Sequence, residues 1–283
     1  MTGRQISLPR LCLDIIDLVT HLQDLDVSSD YFRYPEFCAG LRERVNKGGL
    51  QSLQSSSLCL DLPRLDPSGI DAVQYWEDAL LTPFLATNIK FIAAVMTLSP
   101  QIVSQLHISS LTRLVLHHSQ AGHFDLSGLL TTTPSLFYLE YHALVDYGWL
   151  NEAHWSKQNP RPSYGLEALL DALHHVSDTL KELVTSQIIY EDCPRFHTSY
   201  GADYELPFRV HEEMSKLEHL HALSIPYASL LGWRCKPDQD WVWRNILPPS
   251  LRQINLTDDP TENILIDRWT DESLMPVFSG LLA

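Results

Sequence analysis

The chain has 283 residues, 45% of them hydrophobic and 19% charged, so it is a folding chain with enough material for a sizeable core. Its 35 acidic and 20 basic residues give a net charge of −15, with a pI near 5.2. That balance argues against a phosphate-backbone binder, which needs clustered Lys and Arg, and against docking on an anionic membrane; it suits a basic partner.

At the N-terminus, Arg4 and Arg10 flank no unbroken apolar run, so no secretory leader is expected. The longest apolar-rich segment, around Phe84–Val103, is broken by Thr, Asn, Lys and Ser, and no membrane span is expected. Cys12, Cys38, Cys59, Cys193 and Cys235 contain no Cys-x-x-Cys pair, which offers neither a zinc knuckle nor a redox motif. Together these features point to an intracellular protein, cytoplasmic or nuclear, in which the sequon Asn255-Leu256-Thr257 is silent.

In chain order, the spacing Leu-x-x-Leu-x-Leu recurs with aliphatic or aromatic substitutes. It begins at Leu22, Leu25, Val27, and only its second half is kept at Leu58-Cys59-Leu60. Ala72, Trp76 and Leu80 suggest a helix, and a long apolar-rich helical region is expected from Phe84 to Leu106. The spacing returns at Leu111, Leu114, Leu116 and at Leu136, Leu139, Tyr141. Leu166, Leu169, Leu170, Leu173 and Val176 have helical spacing and precede a weaker copy, Leu180, Leu183, Thr185. Met214, Leu217 and Leu220 lead in the same way to Leu220, Leu223, Ile225, and the last copy is Leu251, Ile254, Leu256.

The physics of the spacing is specific. The two residues around the central x point the same way from a short strand, and the first Leu turns into the same core from the preceding segment. Stacking such units builds a parallel sheet backed by helices, because no unit buries its apolar face alone. The expected fold is therefore an α/β leucine-rich-repeat solenoid, a curved parallel sheet backed by helices, with irregular long insertions. An ordinary α/β domain with Leu-rich strands is the alternative. The insertions follow the strands, at Ala143–Gly165, Gln187–His211, Tyr227–Asn245 and Asp258–Trp269, and should form one rim. They carry Tyr147, Trp149, Trp155, Tyr164, Tyr190, Phe196, Tyr200, Tyr204, Phe208, Trp233, Trp241 and Trp243, which either anchor a partner or seal the loops.

By the period-two rule, the open face of the sheet should show Asp24 and Asp26, then Arg113, Val115 and His117. It continues with Tyr138, Glu140 and His142, then Glu182, Gln253 and Asn255. The candidate partner-binding residues are Arg113, His117, Tyr138, Glu140 and His142 on the face, with Trp149, Trp155, Trp233, Trp241 and Trp243 on the rim.

From Leu111 onward the sequence resembles the leucine-rich-repeat region of fungal F-box-type proteins. The resemblance is carried by Leu129-Leu130 to Thr133-Pro134-Ser135-Leu136, by Leu139-Glu140-Tyr141-His142, and by Val176-Ser177-Asp178-Thr179-Leu180-Lys181-Glu182-Leu183. It continues through Leu223-Ser224-Ile225-Pro226, Leu230-Leu231-Gly232-Trp233, Leu247-Pro248-Pro249-Ser250-Leu251 and Leu256-Thr257-Asp258-Asp259. It implies a substrate receptor of a cullin–RING ubiquitin ligase, with an N-terminal F-box gripping the Skp adaptor and the repeats gripping a protein substrate. Leu8-Pro9-Arg10-Leu11-Cys12-Leu13-Asp14-Ile15-Ile16-Asp17-Leu18 is similar to the opening F-box helix but lacks its glutamate. Residues 1–50 are therefore either a first repeat or a degenerate F-box, and residues 51–283 are the repeat region. Trp269–Leu282 begins a further helix with no polar capping repeat after it, which reads as truncation at the C-terminus.

Chemistry is not expected. Among 13 histidines, His117, His118 and His123 lie close together, His219 and His221 bracket Leu220, and His174-His175 end a helix. None has the spacing of a known zinc site, and His-Glu-x-x-His is absent. Phosphate loops, dinucleotide glycines and the Gly-x-Ser-x-Gly elbow are missing too, so no cofactor or metal is expected. The expectation is a non-catalytic protein-interaction module without nucleic-acid or membrane partners. A repeat scaffold unrelated to ubiquitination is the first alternative. An α/β hydrolase, which would need a nucleophile joined to one of the histidines, is the second.

Overall fold

The computed structural model describes residues 8–19, 21–28, 31, 34–59, 82–95, 108–119, 123–146, 166–190, 214–226 and 247–257. The fold is α/β. Strands β1 (Asp24–Ser28), β2 (Ser55–Cys59), β3 (Phe91–Val95) and β4 (Arg113–Ser119) are followed by β5 (Tyr138–Asp146), β6 (Glu182–Tyr190), β7 (Ala222–Pro226) and β8 (Gln253–Thr257). They form one open, all-parallel sheet in sequence order, consistent with a curved α/β solenoid. The described helices are α1 (Leu8–Leu18), α2 (Pro35–Asn46), α3 (His123–Thr131) and α4 (Leu166–Leu173).

Alternation along each strand builds the core. One register row runs Leu25, Ser56, Ile92, Leu114, Leu139, Leu183, Leu223, Ile254 across the whole sheet. The next inward row includes Val27, Ala94, Leu116, Tyr141, Thr185 and Ile225, all buried. Leu126, Leu129 and Leu130 of α3 and Leu169, Leu170 and Leu173 of α4 join the same core. Each such side chain contributes about 1.5–3 kcal/mol by leaving water. Ser56 is the polar exception in its row: it is 0% exposed, and its Oγ has no hydrogen-bond partner.

A recurring turn sets the register. The first residue of most motifs donates its N–H to a carbonyl three residues back, as in Leu53 to Leu50, Ile89 to Ala86, Leu111 to Ile108, Leu136 to Thr133 and Leu220 to Leu217, while Leu180 reaches four back to Val176. The carbonyls of Gln23, Gln54, Lys90, Thr112, Phe137, Lys181 and His221 then each accept two N–H bonds from the opening of the next strand. Ahead of the first motif residue a hydroxyl often ties one unit to the one before. Ser110 donates to the Ile89 carbonyl at 2.8 Å, Thr179 to Leu136 at 2.8 Å and Ser250 to Leu220 at 2.7 Å.

Three expectations are corrected. The segment from Phe84 is not one long helix: Thr82–Leu85 is a 3-10 turn and Phe91–Val95 is β3, with Ile89, Ile92 and Ala94 as a full copy of the motif. A short apolar run bounded by turns is a buried strand as readily as a helix, and the sheet on both sides decides it here. At β2 the copy is Leu53, Ser56, Leu58, because Leu25 pairs with Ser56 and Val27 with Leu58; the pair Leu58 and Leu60 is out of frame. Met214–Lys216 is a single 3-10 turn rather than a helix. The expected helix at Ala72–Leu80 lies outside the described residues.

At the N-terminal end, α2 starts on Pro35 and stops at a Schellman turn. Gly49 N–H bonds to Arg44 O and Gly48 N–H to Val45 O, with Gly48 at φ 74°, where glycine is favoured. Helix α1 lies on α2 through buried Leu13 and a bidentate pair between Arg44 and Asp17. Gly40 permits that approach, since a Cβ there would collide with Leu13 Cδ1. No helix among the described residues is long and apolar enough to cross a membrane.

Candidate functional site: the open face of the sheet

The residues between the inward-facing ones project from the opposite face. The first outward row is Asp24, Ser55, Phe91, Arg113, Tyr138, Glu182, Ala222, Gln253, and the second is Asp26, Ser57, Ala93, Val115, Glu140, Val184, Ser224, Asn255. Asp24, Asp26, Arg113, Glu182, Gln253 and Asn255 are exposed, as expected for a face that no described helix covers. Val115 departs from that: it and Ala93 are buried, yet they stand apart from the main core. Asn255 Nδ2 bonds across β7–β8 to Ser224 Oγ at 3.1 Å.

Five of the candidate residues come together at the middle of this face. The Arg113 guanidinium stacks over the Tyr138 ring, 4.6 Å from its centroid, and over Phe91 at 5.7 Å. Tyr138 donates its hydroxyl to Glu140 Oε2 at 2.6 Å, and His142 Nε2–H donates to Glu140 Oε1 at 2.7 Å. With that tautomer, His142 Nδ1 accepts the Ser186 hydroxyl from the neighbouring strand. The His117 ring stacks on His142 at 5.3 Å between centroids and 17° between planes. A shift of register between β4 and β5 after Leu116 lies beside this stack.

The electrostatics follow from half-burial. Burial pushes Tyr138 up to about 12, with the hydrogen bond and charge of Glu140 in the same direction and Arg113 opposing. For Glu140, burial acts upward, but hydrogen bonds from Tyr138 and His142 and the charges of His142 and His117 hold its carboxyl below the usual carboxylate range. The side chains of His142 and Glu140 are 22% and 25% exposed, so the network keeps an edge in water.

Two members were not foreseen. Phe91 lay in a segment read as helix; Ser186 lies just after the motif residue Thr185 and just before the insertion expected from Gln187, and β6 runs on past it to Tyr190. Their signal was the repeat frame: Phe91 takes the same register position as Arg113, and Ser186 pairs with His142. Trp149, Trp155, Trp233, Trp241 and Trp243 lie outside the described residues, as do most of the expected rim aromatics.

Elsewhere, His175 Nε2 and Ser127 Oγ are 2.8 Å apart and tie the end of α4 to α3, with the His174 ring beside His175. Among the described residues no three His, Cys, Asp or Glu side chains converge as metal ligands. A hollow of about 660 Å³ runs along α2, lined by Pro35, Ala39, Arg42 and Asn46 among others, and includes none of the central cluster. No protein-family model matches the chain, and no curated protein matches its sequence.

Proposed function

We propose that this chain is a leucine-rich-repeat module for protein–protein interaction, of the kind that serves as the substrate-binding region of an F-box receptor in a cullin–RING ubiquitin ligase. The observation that carries the reading is the central cluster on the open face. Arg113, His117, Tyr138, Glu140 and His142 are held rigidly by stacking and hydrogen bonds, yet stay accessible at their edges. Aromatic and Arg side chains fixed before binding lose little entropy on contact, which is what an interface anchor requires. The Leu-x-x-Leu-x-Leu frame, its turn and its hydroxyl tie recur from unit to unit, which supports the leucine-rich-repeat assignment.

A link to the ligase has its own support. Helix α1 leaves Leu8, Leu11, Ile15 and Leu18 exposed along one stripe, with Leu18 at 82%, while Leu13 on another face is buried. A stripe at this spacing suits docking on an adaptor. Against it, Leu25 and Val27 belong to the sheet and Leu22 packs against its core, which favours a first repeat over a separate F-box in that segment and keeps the free scaffold as the alternative.

The test is a pull-down of the full chain with purified Skp adaptor, beside the double variant Leu11→Glu/Ile15→Glu. Removing residues 1–50 outright would strip Phe37, Cys38 and Leu41 from the core, so the point variants are the cleaner probe. Capture by the native chain and at least tenfold less by the variant makes it a ligase receptor; no capture by either leaves a scaffold.

The relay Ser186–His142–Glu140 gives a hydrolase its one specific observation. The module reading accounts for it as a structural network, because Ser186 sits within the β5–β6 pairing and nucleophilic catalysis needs free N–H donors aimed at an oxyanion. Stoichiometric labelling of Ser186 by a fluorophosphonate would reverse that judgement.

A further inference from the structure

We propose that Arg113 is the receptor for a single carboxylate on a partner segment that is otherwise neutral or positively charged. This rests on the interaction reading above and names the chemistry the open face recognises. Arg113 sits on β4 between Phe91 of β3 and Tyr138 of β5, in one register row. The guanidinium carbon lies over a ring from each neighbouring strand, which holds the group in place, and a guanidinium so held still has N–H donors in its own plane for an acceptor. Tyr138 hydroxyl takes a share of those donors, but among the described residues no carboxylate pairs with Arg113. An exposed guanidinium held beside two rings, with no described carboxylate paired to it, suits an acid brought by a partner. A planar carboxylate meets such a fork with two parallel hydrogen bonds.

The surroundings set the charge of the ligand. Glu140 lies two residues along from Tyr138, and Glu182 stands next to Tyr138 across β5–β6. Their field opposes a second negative charge on the ligand more than the first, because the first is paired in contact with the guanidinium and the second is not. The net charge of −15 repels an acidic segment as a whole and steers a basic one in. The ligand is therefore a basic or neutral stretch carrying one Asp or Glu, and the specificity lies in that residue.

The experiment selects peptides from a random, unphosphorylated display library on the full chain and measures their affinity by fluorescence polarisation. Peptides with net positive charge and one Asp or Glu are expected. Replacing that acid by its amide should weaken binding by about ten- to a hundredfold. The Arg113→Gln chain should show the same loss with the acidic peptide and no further loss with the amide, at unchanged circular dichroism. Arg113→Lys should recover little, since a point charge lacks the fork. Peptides indifferent to Arg113→Gln but lost on Tyr138→Ala would overturn this inference and leave the interaction reading standing. Tighter binding of a phosphoserine peptide than of its Glu counterpart would overturn the choice of carboxylate. A library that yields no binders, or binders insensitive to every change on this face, would overturn both.

Discussion

Strand β5 has two faces, and they obey different rules. Inward, Leu139 and Tyr141 continue rows that are apolar nearly throughout the sheet, and their identity matters mainly as volume. Outward, Tyr138, Glu140 and His142 share no chemistry with the residues in the same register on β2 or β7, which are Ser, Cys, Ala and Pro. Where a position is repeated it builds the fold; where it differs from strand to strand it has been freed to do something else. The two faces should therefore separate under mutation.

The largest effect is expected inside. Leu139→Ala leaves a cavity in the middle of a core row that crosses the whole sheet and should lower unfolding free energy by about 2–5 kcal/mol in urea titrations. A loss near zero would mean that the inner row is not the support for the outer cluster. On the outer face, Glu140→Gln weakens bonds to Tyr138 and His142 together and should cost about 1–2 kcal/mol. Its pH signature is the sharper test. Because the folded pKa of Glu140 is depressed, its contribution is present above the ordinary value of 4.5 and is lost as pH falls through the lower folded value. The Gln variant should have a flatter acid limb below that pH, and identical acid limbs would remove the network from the stability of the fold. The smallest change is a gain. Ser56→Ala deletes a buried hydroxyl without a partner and should stabilise the chain by about 1 kcal/mol; a loss of stability would show that Ser56 has a use in its row.

Much of this was legible in the amino acids. The motif copies at Leu22, Leu111, Leu136, Leu180, Leu220 and Leu251 open strands that pair in order, because period-two alternation leaves a strong mark when the inward residues are Leu or Ile. The mark fails where the inward residue shrinks. Ser56 and Ala94 occupy leucine positions, and without them β2 and β3 lost their frame. The same alternation put Arg113, His117, Tyr138, Glu140 and His142 on one face, and their clustering follows from adjacency of β4 and β5. The bond from Ser186 was not legible, since it depends on how far β6 continues, and strand length is set by pairing with β5 rather than by local sequence.

The rungs made by the carbonyls of Gln23, Gln54, Lys90, Thr112, Phe137, Lys181 and His221 join each strand only to its neighbours in sequence order. Wired in series in this way, the described residues show no clasp between distant strands. Pulled from its two ends, it should peel strand by strand from the outermost rungs, giving a run of modest force steps in place of one abrupt rupture. The middle of the chain, where β5 and β6 share the longest pairing, would be the last to let go.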